Sequence, residues 1–260
     1  MAKLEPPHAV RTLMQRGCMG DFANGTVAFN PDESVALVRY MARLMQERRA
    51  EFGDKLIETV IAVTSASLQR HRPARPLACG KGCAACCHQP VSVTAIEAFA
   101  IARKVRKMPG RDSLRARLGA TPVSGGTAGR VFDAARPCPF LAEAACSIHG
   151  IRPLVCRIVV SFDARACHQQ LDQPDGQIPW PHSHGAIQMW VNTALFTAHQ
   201  AASLDPRTYA LAGAVEAVLR DPLLEARWYA GDDGLLDVAD PPLHESYARV
   251  CQELRTLARL

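Results

Sequence analysis

The sequence predicts a mainly α-helical protein, with bundle-like helical flanks around an irregular, cysteine-rich centre. Apolar residues recur at three- and four-residue steps in segments on both sides of that centre, which is the spacing of one helix face. Strand-length alternation of apolar and polar residues is almost absent, and its best case is the short run 157–162. Eight of the ten cysteines fall between positions 79 and 167, on segments that we expect to be loops.

Composition bounds the class of protein before any motif is considered. The 260 residues are 48% hydrophobic and 21% charged, which is enough apolar material for one sizeable core or two small ones. The opening residues mix charges and prolines where a signal peptide would carry an apolar run. The longest stretch free of acidic and basic residues, 176–204, is interrupted by Pro179 and Pro181 and is rich in polar side chains. We therefore expect a cytoplasmic protein with no membrane partner.

The N-terminal segment, residues 1–75, should contain a packed pair of helices. Asn30 precedes a proline and two acidic residues, a pattern typical of an N-cap and the first helical turn. The apolar stripe of the first helix is Val35, Val38, Met41, Leu44 and Met45, and that of the second is Leu56, Ile57, Val60, Ile61, Thr64 and Leu68. At this spacing, core packing explains the methionines better than a role in lining a cofactor does.

The C-terminal segment, residues 171–260, should also be helical. One helix is expected from about 186 to 201. Three more should begin at Asp-Pro pairs, because the carboxylate can cap a helix and proline has no amide hydrogen to leave unpaired. These pairs are Asp205-Pro206, Asp221-Pro222 and Asp240-Pro241. The two flanks and the middle part, residues 76–170, form either separate units or one compact domain.

The middle part contains a third kind of helix signal and a glycine-rich connection. Thr94 and Glu97 have the spacing of a capping box, and the apolar residues that follow them continue as one helix face. Residues 119–129 are rich in glycine but lack the Lys-Ser/Thr ending of a phosphate-binding loop. We interpret them as a flexible connection rather than as a nucleotide site.

The cysteine spacing is the strongest signal in the chain. The two blocks read Cys79-x3-Cys83-x2-Cys86-Cys87 and Cys138-x7-Cys146-x9-Cys156-x10-Cys167. A reducing compartment favours metal binding or redox chemistry over a disulfide framework. Short spacings let a turn present several thiolates to one ion, and later cysteines close the shell from distant sequence. We therefore predict all eight cysteines as metal ligands.

The adjacent cysteines predict more than one centre. Neighbouring side chains usually diverge, so Cys86 and Cys87 should rarely both reach one small ion. Eight thiolates divide into two four-ligand sites, and a four-thiolate zinc site carries a charge of about −2, which favours nearby cations. Cations within four residues of a cysteine of the two blocks are Lys81, Arg136, Arg152, Arg157 and Arg165.

The two blocks resemble the YkgJ-type cysteine-cluster proteins, which are described as a zinc- or iron-chelating domain. The resemblance rests on 79–87 (CGKGCAACC), on 138–141 (CPFL), on 146–149 (CSIH) and on 152–157 (RPLVCR). His149-Gly150 stands where the family has an aromatic and an acidic residue, and Cys167 lies at the edge of the motif. The resemblance covers roughly residues 76–170 and implies a bound metal. A similar cluster occurs in the flagellin lysine methylases, so the resemblance also allows an iron–sulfur enzyme.

The residues leave several alternatives open. Zinc and iron–sulfur clusters both accept four thiolates, and the spacing does not separate them. Histidines are alternative ligands, although eight thiols make them unnecessary; they are His88, His149, His168, His182 and His184. Cys18 and Cys251 stand alone and are interpreted as buried apolar residues. No catalytic residue is identified, so two function classes remain: a metal-binding protein with a structural centre, and an iron–sulfur enzyme for group transfer or redox chemistry.

The net charge of +5 comes from one segment. Residues 103–117 carry a charge of +6, which leaves about −1 for the rest of the chain. A general polycation for nucleic acid is not indicated by this balance. A local anionic partner, RNA among the candidates, stays open for that segment alone.

Overall fold

The computed structural model describes residues 4–22, 28–121, 135–173, 176–232 and 234–260. These residues form eleven α-helices and six strands of two or three residues, so the prediction of a mainly α-helical protein is confirmed. The helices are α1 (His8–Arg16), α2 (Pro31–Gln46), α3 (Ala50–Arg70), α4 (Ala95–Val105), α5 (Arg111–Ala120), α6 (Leu154–Ile158), α7 (Ala164–Asp172), α8 (His182–Ala201), α9 (Leu211–Arg220), α10 (Leu224–Tyr229) and α11 (Glu245–Leu257). The strands are β1 (Gly20–Asp21), β2 (Ala28–Phe29), β3 (Ser92–Thr94), β4 (Leu141–Ala142), β5 (Ala145–Cys146) and β6 (Thr208–Ala210).

The chain divides into two compact units. The first comprises Met1–Arg72, His182–Pro206 and Pro242–Leu260, and the second comprises Pro73–Pro181 and Arg207–Pro241. The division into segments 1–75, 76–170 and 171–260 stays a prediction.

The first unit contains the predicted helical pair, α2 and α3. The Asn30 side chain accepts hydrogen bonds from the N–H groups of Asp32 at 2.9 Å and Glu33 at 3.3 Å, so the N-cap is confirmed. Val38 and Met41 are fully buried on the inner face of α2. The methionine stripe therefore packs in the core, as the helical spacing predicted.

The long helix α8 contributes to the same core. It begins four residues before the predicted start at 186 and ends at the predicted residue. The Trp190 indole stacks on Phe29 with ring centroids 5.3 Å apart, and its N–H donates to the Ser34 hydroxyl at 2.9 Å. Cys18 and Cys251 are fully buried in this unit, as predicted.

The second unit begins its helices with the predicted capping box. The Thr94 hydroxyl accepts from the Glu97 N–H, and the Glu97 carboxylate accepts from the Thr94 N–H, before α4 starts at Ala95. Strand β3 pairs antiparallel with β6, with Ser92 opposite Ala210. Because α4 follows β3 and α9 follows β6, this pairing brings the two helices together, and they pack against each other.

The Asp-Pro rule fails in two of its three cases. Asp205-Pro206 lies in a segment without regular structure just before β6. Asp240-Pro241 lies five residues before Glu245, where α11 begins. The Asp240 carboxylate accepts instead from the Thr208 hydroxyl at 2.7 Å, so a tertiary contact uses the group that was expected to cap. Asp221 does accept from the Leu223 N–H at 2.8 Å, just ahead of α10.

The run 157–162, which shows the best case of strand-like alternation in the sequence, contains no strand. Helix α6 runs to Ile158, and the residues after it have no regular structure. Most of the glycine-rich connection, residues 122–129, lies outside the described residues, while its first two residues end α5. Among the helices that the structure describes, none has the length and apolar content that a bilayer crossing requires.

Candidate metal centre

Two successive turns shape the first cysteine block. The Cys83 N–H donates to the Gly80 carbonyl at 3.1 Å, and the Cys87 N–H donates to the Ala84 carbonyl at 2.9 Å. Gly82, inside the first turn, has φ of +87°, a left-handed conformation that glycine adopts without strain. The tight turn at Cys86 and Cys87 is a short 3-10 helix, Ala85–His88. Four thiols are thus presented by nine residues.

Ser161 holds the start of this block. The Ala78 N–H donates to the Ser161 carbonyl at 2.9 Å, and the Ser161 N–H donates to the Cys79 sulfur at 3.3 Å. The buried Ser161 hydroxyl is itself within 3.0 Å of the Pro179 carbonyl. The sequence analysis missed this residue, because 82 positions separate it from Cys79 and no local motif marks it.

The second cysteine block is joined to the first by the backbone. The Cys138 N–H donates to the Cys87 carbonyl at 2.6 Å. Cys138 precedes the β4–β5 hairpin, in which Cys146 lies opposite Leu141. Helices α6 and α7 carry Cys156 and Cys167. The two blocks therefore meet even though residues 88–137 separate them in sequence.

Glu97 connects the capping box to the helix that carries Cys156. Its carboxylate is buried and accepts three hydrogen bonds. One oxygen accepts from the Thr94 N–H at 2.9 Å and from the Thr94 hydroxyl at 3.0 Å, and the other accepts from the Leu154 N–H at 2.9 Å. Leu154 is the first residue of α6, so this one side chain fixes the starts of two helices.

The thiols fall into two electrostatic sets. The pKa of Cys167 is raised by burial and also by the charges of Cys79, Cys83 and Cys86. The pKa of Cys87 is lowered by a hydrogen bond from Cys86, with opposing effects from burial and from three other cysteines. Those three are Cys138, Cys146 and Cys156. All eight predicted cysteines thus interact with other members of the group.

The adjacent pair Cys86 and Cys87 lies at the border of the two sets. A hydrogen bond between the two thiols is the largest effect on each pKa: it raises the pKa of Cys86 and lowers that of Cys87. The expectation that the two side chains reach different ions stays a prediction. Cys86 also interacts with members of both sets, including Cys79 and Cys138.

Burial keeps most of these thiols protonated in the absence of a nearby cation. It raises the pKa of Cys138 to about 11, and it also raises the pKa values of Cys156 and Cys146. A soft divalent cation reverses this preference, since a coordinating thiol is deprotonated outright. Eight sulfur donors are the set that zinc and iron–sulfur clusters accept, so the residues present fit such a group.

Three of the cations predicted near the cluster lie within its second block: Arg152, Arg157 and Arg165. Arg157 donates from Nε to the Arg152 carbonyl at 3.1 Å and from a terminal nitrogen to the Gly150 carbonyl at 2.6 Å. Arg152 is half-buried, whereas Lys81 and Arg165 are exposed.

The histidines are dispersed. His88 is half-buried next to Cys87, while His149 and His168 are exposed. His182 and His184 begin α8 in the first unit. Across the described parts of the chain, no group of three or more His, Cys, Asp or Glu side chains already has an arrangement that could hold a metal ion.

Some basic side chains of the segment 103–117 bond to neighbouring helices, and others are exposed. Arg103 pairs with Glu225 of α10 at 2.5 Å, and Arg106 donates to the Val218 carbonyl at 2.6 Å. Lys104 and Lys107 are exposed. The segment therefore does not offer all its charge to a partner.

Comparison with known proteins agrees with the motif. Residues 78–174 match the model of the CxxCxxCC family, described as "Putative zinc- or iron-chelating domain". The chain shows no significant match to a curated protein or to a solved structure. The matched range contains all eight cysteines of the two blocks. The prediction of a cysteine cluster of this family's type is confirmed for residues 78–174, which match the model of a family described as zinc- or iron-chelating.

Proposed function

We propose that the chain binds zinc or iron at two adjacent four-thiolate centres. The first would use Cys79, Cys83, Cys86 and Cys167, and the second would use Cys87, Cys138, Cys146 and Cys156. The border pair Cys86 and Cys87 supplies one ligand to each centre, which keeps the two centres next to each other.

The observation that carries this proposal is that Cys167 and Cys87 interact with different cysteines, while Cys86 interacts with members of both groups. Cys167, on α7, interacts with Cys79 and Cys83 of the first block. Cys87 interacts instead with the cysteines of the β4–β5 region and α6. Each set draws its members from both blocks, so each centre would link two distant parts of the chain.

The function of the centres in this proposal is to stabilise the fold of residues 78–174. The segments that carry the cysteines are turns, two-residue strands and short helices, which bury little apolar surface of their own. Thiolates gathered on an ion have no preformed counterpart in the unfolded chain. Most of the metal-binding free energy, on the order of 10 kcal/mol for a structural zinc, is then folding free energy.

Anaerobic purification with elemental analysis and absorption spectroscopy tests the proposal. Two four-thiolate zinc sites give two zinc ions per chain and no visible colour. Iron–sulfur clusters give iron, acid-labile sulfide and a brown colour, and would favour the alternative of an iron–sulfur enzyme for group transfer or redox chemistry. A folded full-length chain without metal refutes the proposal, and a single ion per chain refutes the division into two centres.

Serine substitutions test the ligands. Cys87→Ser and Cys167→Ser should each lower the metal content by one centre and reduce soluble yield. The matched controls are Cys18→Ser and Cys251→Ser, which alter fully buried cysteines of the first unit and should leave the metal content unchanged. Equal losses in all four variants would show that the ligand assignment is wrong.

A further inference from the structure

The two arginines of the 152–157 motif have different environments. Arg157 donates two hydrogen bonds to backbone carbonyls of the turn before α6, so it braces that turn. The Arg152 Nε atom is buried and has no hydrogen-bond partner among the described residues. Its backbone is nevertheless held firmly, because its carbonyl accepts from Arg157.

An unpaired guanidinium N–H is expensive to bury. A buried donor without a partner loses its hydrogen bond to water and gains none from the protein, and the loss is larger where the group is charged. Such an exception calls for a partner that the protein atoms do not supply. The position of Arg152, between the cysteine of β5 and the cysteine of α6, indicates which kind of partner fits.

The charge of Arg152 acts on thiols of both sets. It acts on Cys79 and Cys86, which we assign to the first centre, and on Cys146, which we assign to the second. Two four-thiolate zinc sites together carry a charge of about −4. A fixed cation within reach of both sets offsets part of that charge, and a guanidinium can direct several N–H groups to different acceptors.

We infer that Arg152 is a positioning residue for both metal centres, donating its Nε–H to a metal-bound thiolate and balancing the charge of the adjacent centres. This inference rests on the proposed function and concerns how the sites are held. The two arginines of one motif then differ in function: Arg157 stabilises the turn, and Arg152 donates a hydrogen bond to a ligand thiolate.

Zinc affinity measured by competition with a chelator of known affinity tests the inference on the full-length chain. Arg152→Met should lower the affinity for both zinc ions by roughly ten- to a hundredfold, which is the usual effect of removing a residue that hydrogen-bonds to a metal ligand. Arg152→Lys keeps the charge and should restore part of the affinity. Arg115→Met, an equal charge change at an exposed residue of α5, is the control and should match the wild type.

The outcomes separate this inference from the proposed function. A wild-type chain that takes up no zinc refutes the proposed function. If the wild type binds two zinc ions and Arg152→Met binds them equally well, the inference is overturned. If the affinity falls for one zinc ion alone, Arg152 does not serve both centres.

A second measurement needs no substitution and therefore does not depend on the variants folding. In protein labelled with ¹⁵N-arginine, the Arg152 Nε–H resonance should shift and become protected from solvent exchange when zinc is added. The Arg157 Nε–H, already bonded to a carbonyl, serves as the internal reference. An Arg152 resonance that does not respond to zinc contradicts the inference.

Discussion

Replacing Glu97 by glutamine should destabilise the second unit by about 3 kcal/mol. The wild-type carboxylate accepts two hydrogen bonds from Thr94 on one oxygen and one from the Leu154 N–H on the other. Glutamine has a single oxygen. If that oxygen keeps the Thr94 contacts, the amide NH₂ faces the Leu154 N–H, and two donors oppose each other.

The magnitude follows from these three contacts. A buried N–H left without an acceptor costs about 1–3 kcal/mol. The remaining bonds lose their ionic character, and charge-assisted hydrogen bonds are roughly twice as strong as neutral ones. The loss of a negative charge from the first turn of α4 adds about 0.3–1 kcal/mol. The sum lies near 3 kcal/mol, a large part of the stability of a typical domain.

Urea unfolding of Glu97→Gln at pH 7, with hydrogen exchange resolved at Leu154, checks this estimate. The Leu154 amide should lose protection, and metal content should fall because α6 carries Cys156. Glu51→Gln makes the same chemical change in the first turn of α3, at an exposed side chain, and should cost well under 1 kcal/mol. Equal, small losses in both variants would show that the Glu97 contacts contribute little to stability.

Three further predictions address pH, chelation and charge. Burial lowers the pKa of His199 to about 4, so the unfolded chain takes up a proton first on acidification. About 3 kcal/mol of stability should be lost as the pH falls from 6.5 to 4, and urea unfolding of His199→Gln should show a shallower acid dependence. A strong chelator should increase hydrogen exchange mainly within 78–174; an unchanged middle region would mean that helix packing alone sets the fold. Lys104→Glu combined with Lys107→Glu should abolish salt-sensitive retention on heparin without altering metal content, and retention that persists would place any anion-binding surface elsewhere.

Local signals in the sequence predicted the helices well where the chemistry that they describe is itself local. The Asn30 cap and the capping box of Thr94 and Glu97 need only residues within one turn, and both are present. The Asp-Pro pairs carry a similar signal, but Asp240 accepts a hydrogen bond from Thr208, 32 positions away. Since a carboxylate can serve either partner, sequence spacing alone cannot decide between a cap and a tertiary contact.

The candidate site shows the same limit. The cysteine spacing predicts which residues gather, and all eight cysteines lie in the matched family range. The spacing does not predict that Ser161 donates to the Cys79 sulfur. Nor does it predict that Arg157 donates to backbone carbonyls while the Arg152 Nε has no partner among the described residues. Those contacts depend on where the turn before α6 lies, and that turn is positioned by a glutamate more than 50 residues earlier.

Protein hydrogen bonds already join the parts that the proposed centres would join. The Cys87 carbonyl accepts from Cys138, Ser161 contacts the Cys79 sulfur, and Glu97 accepts from Leu154. Each such bond contributes a net ~1 kcal/mol, or ~2 kcal/mol where a charge is involved. Together they supply ~4 kcal/mol, less than half of the ~10 kcal/mol available from one structural zinc. The hydrogen bonds therefore determine which cysteines lie close together, whereas a bound metal would supply most of the free energy that stabilises this arrangement.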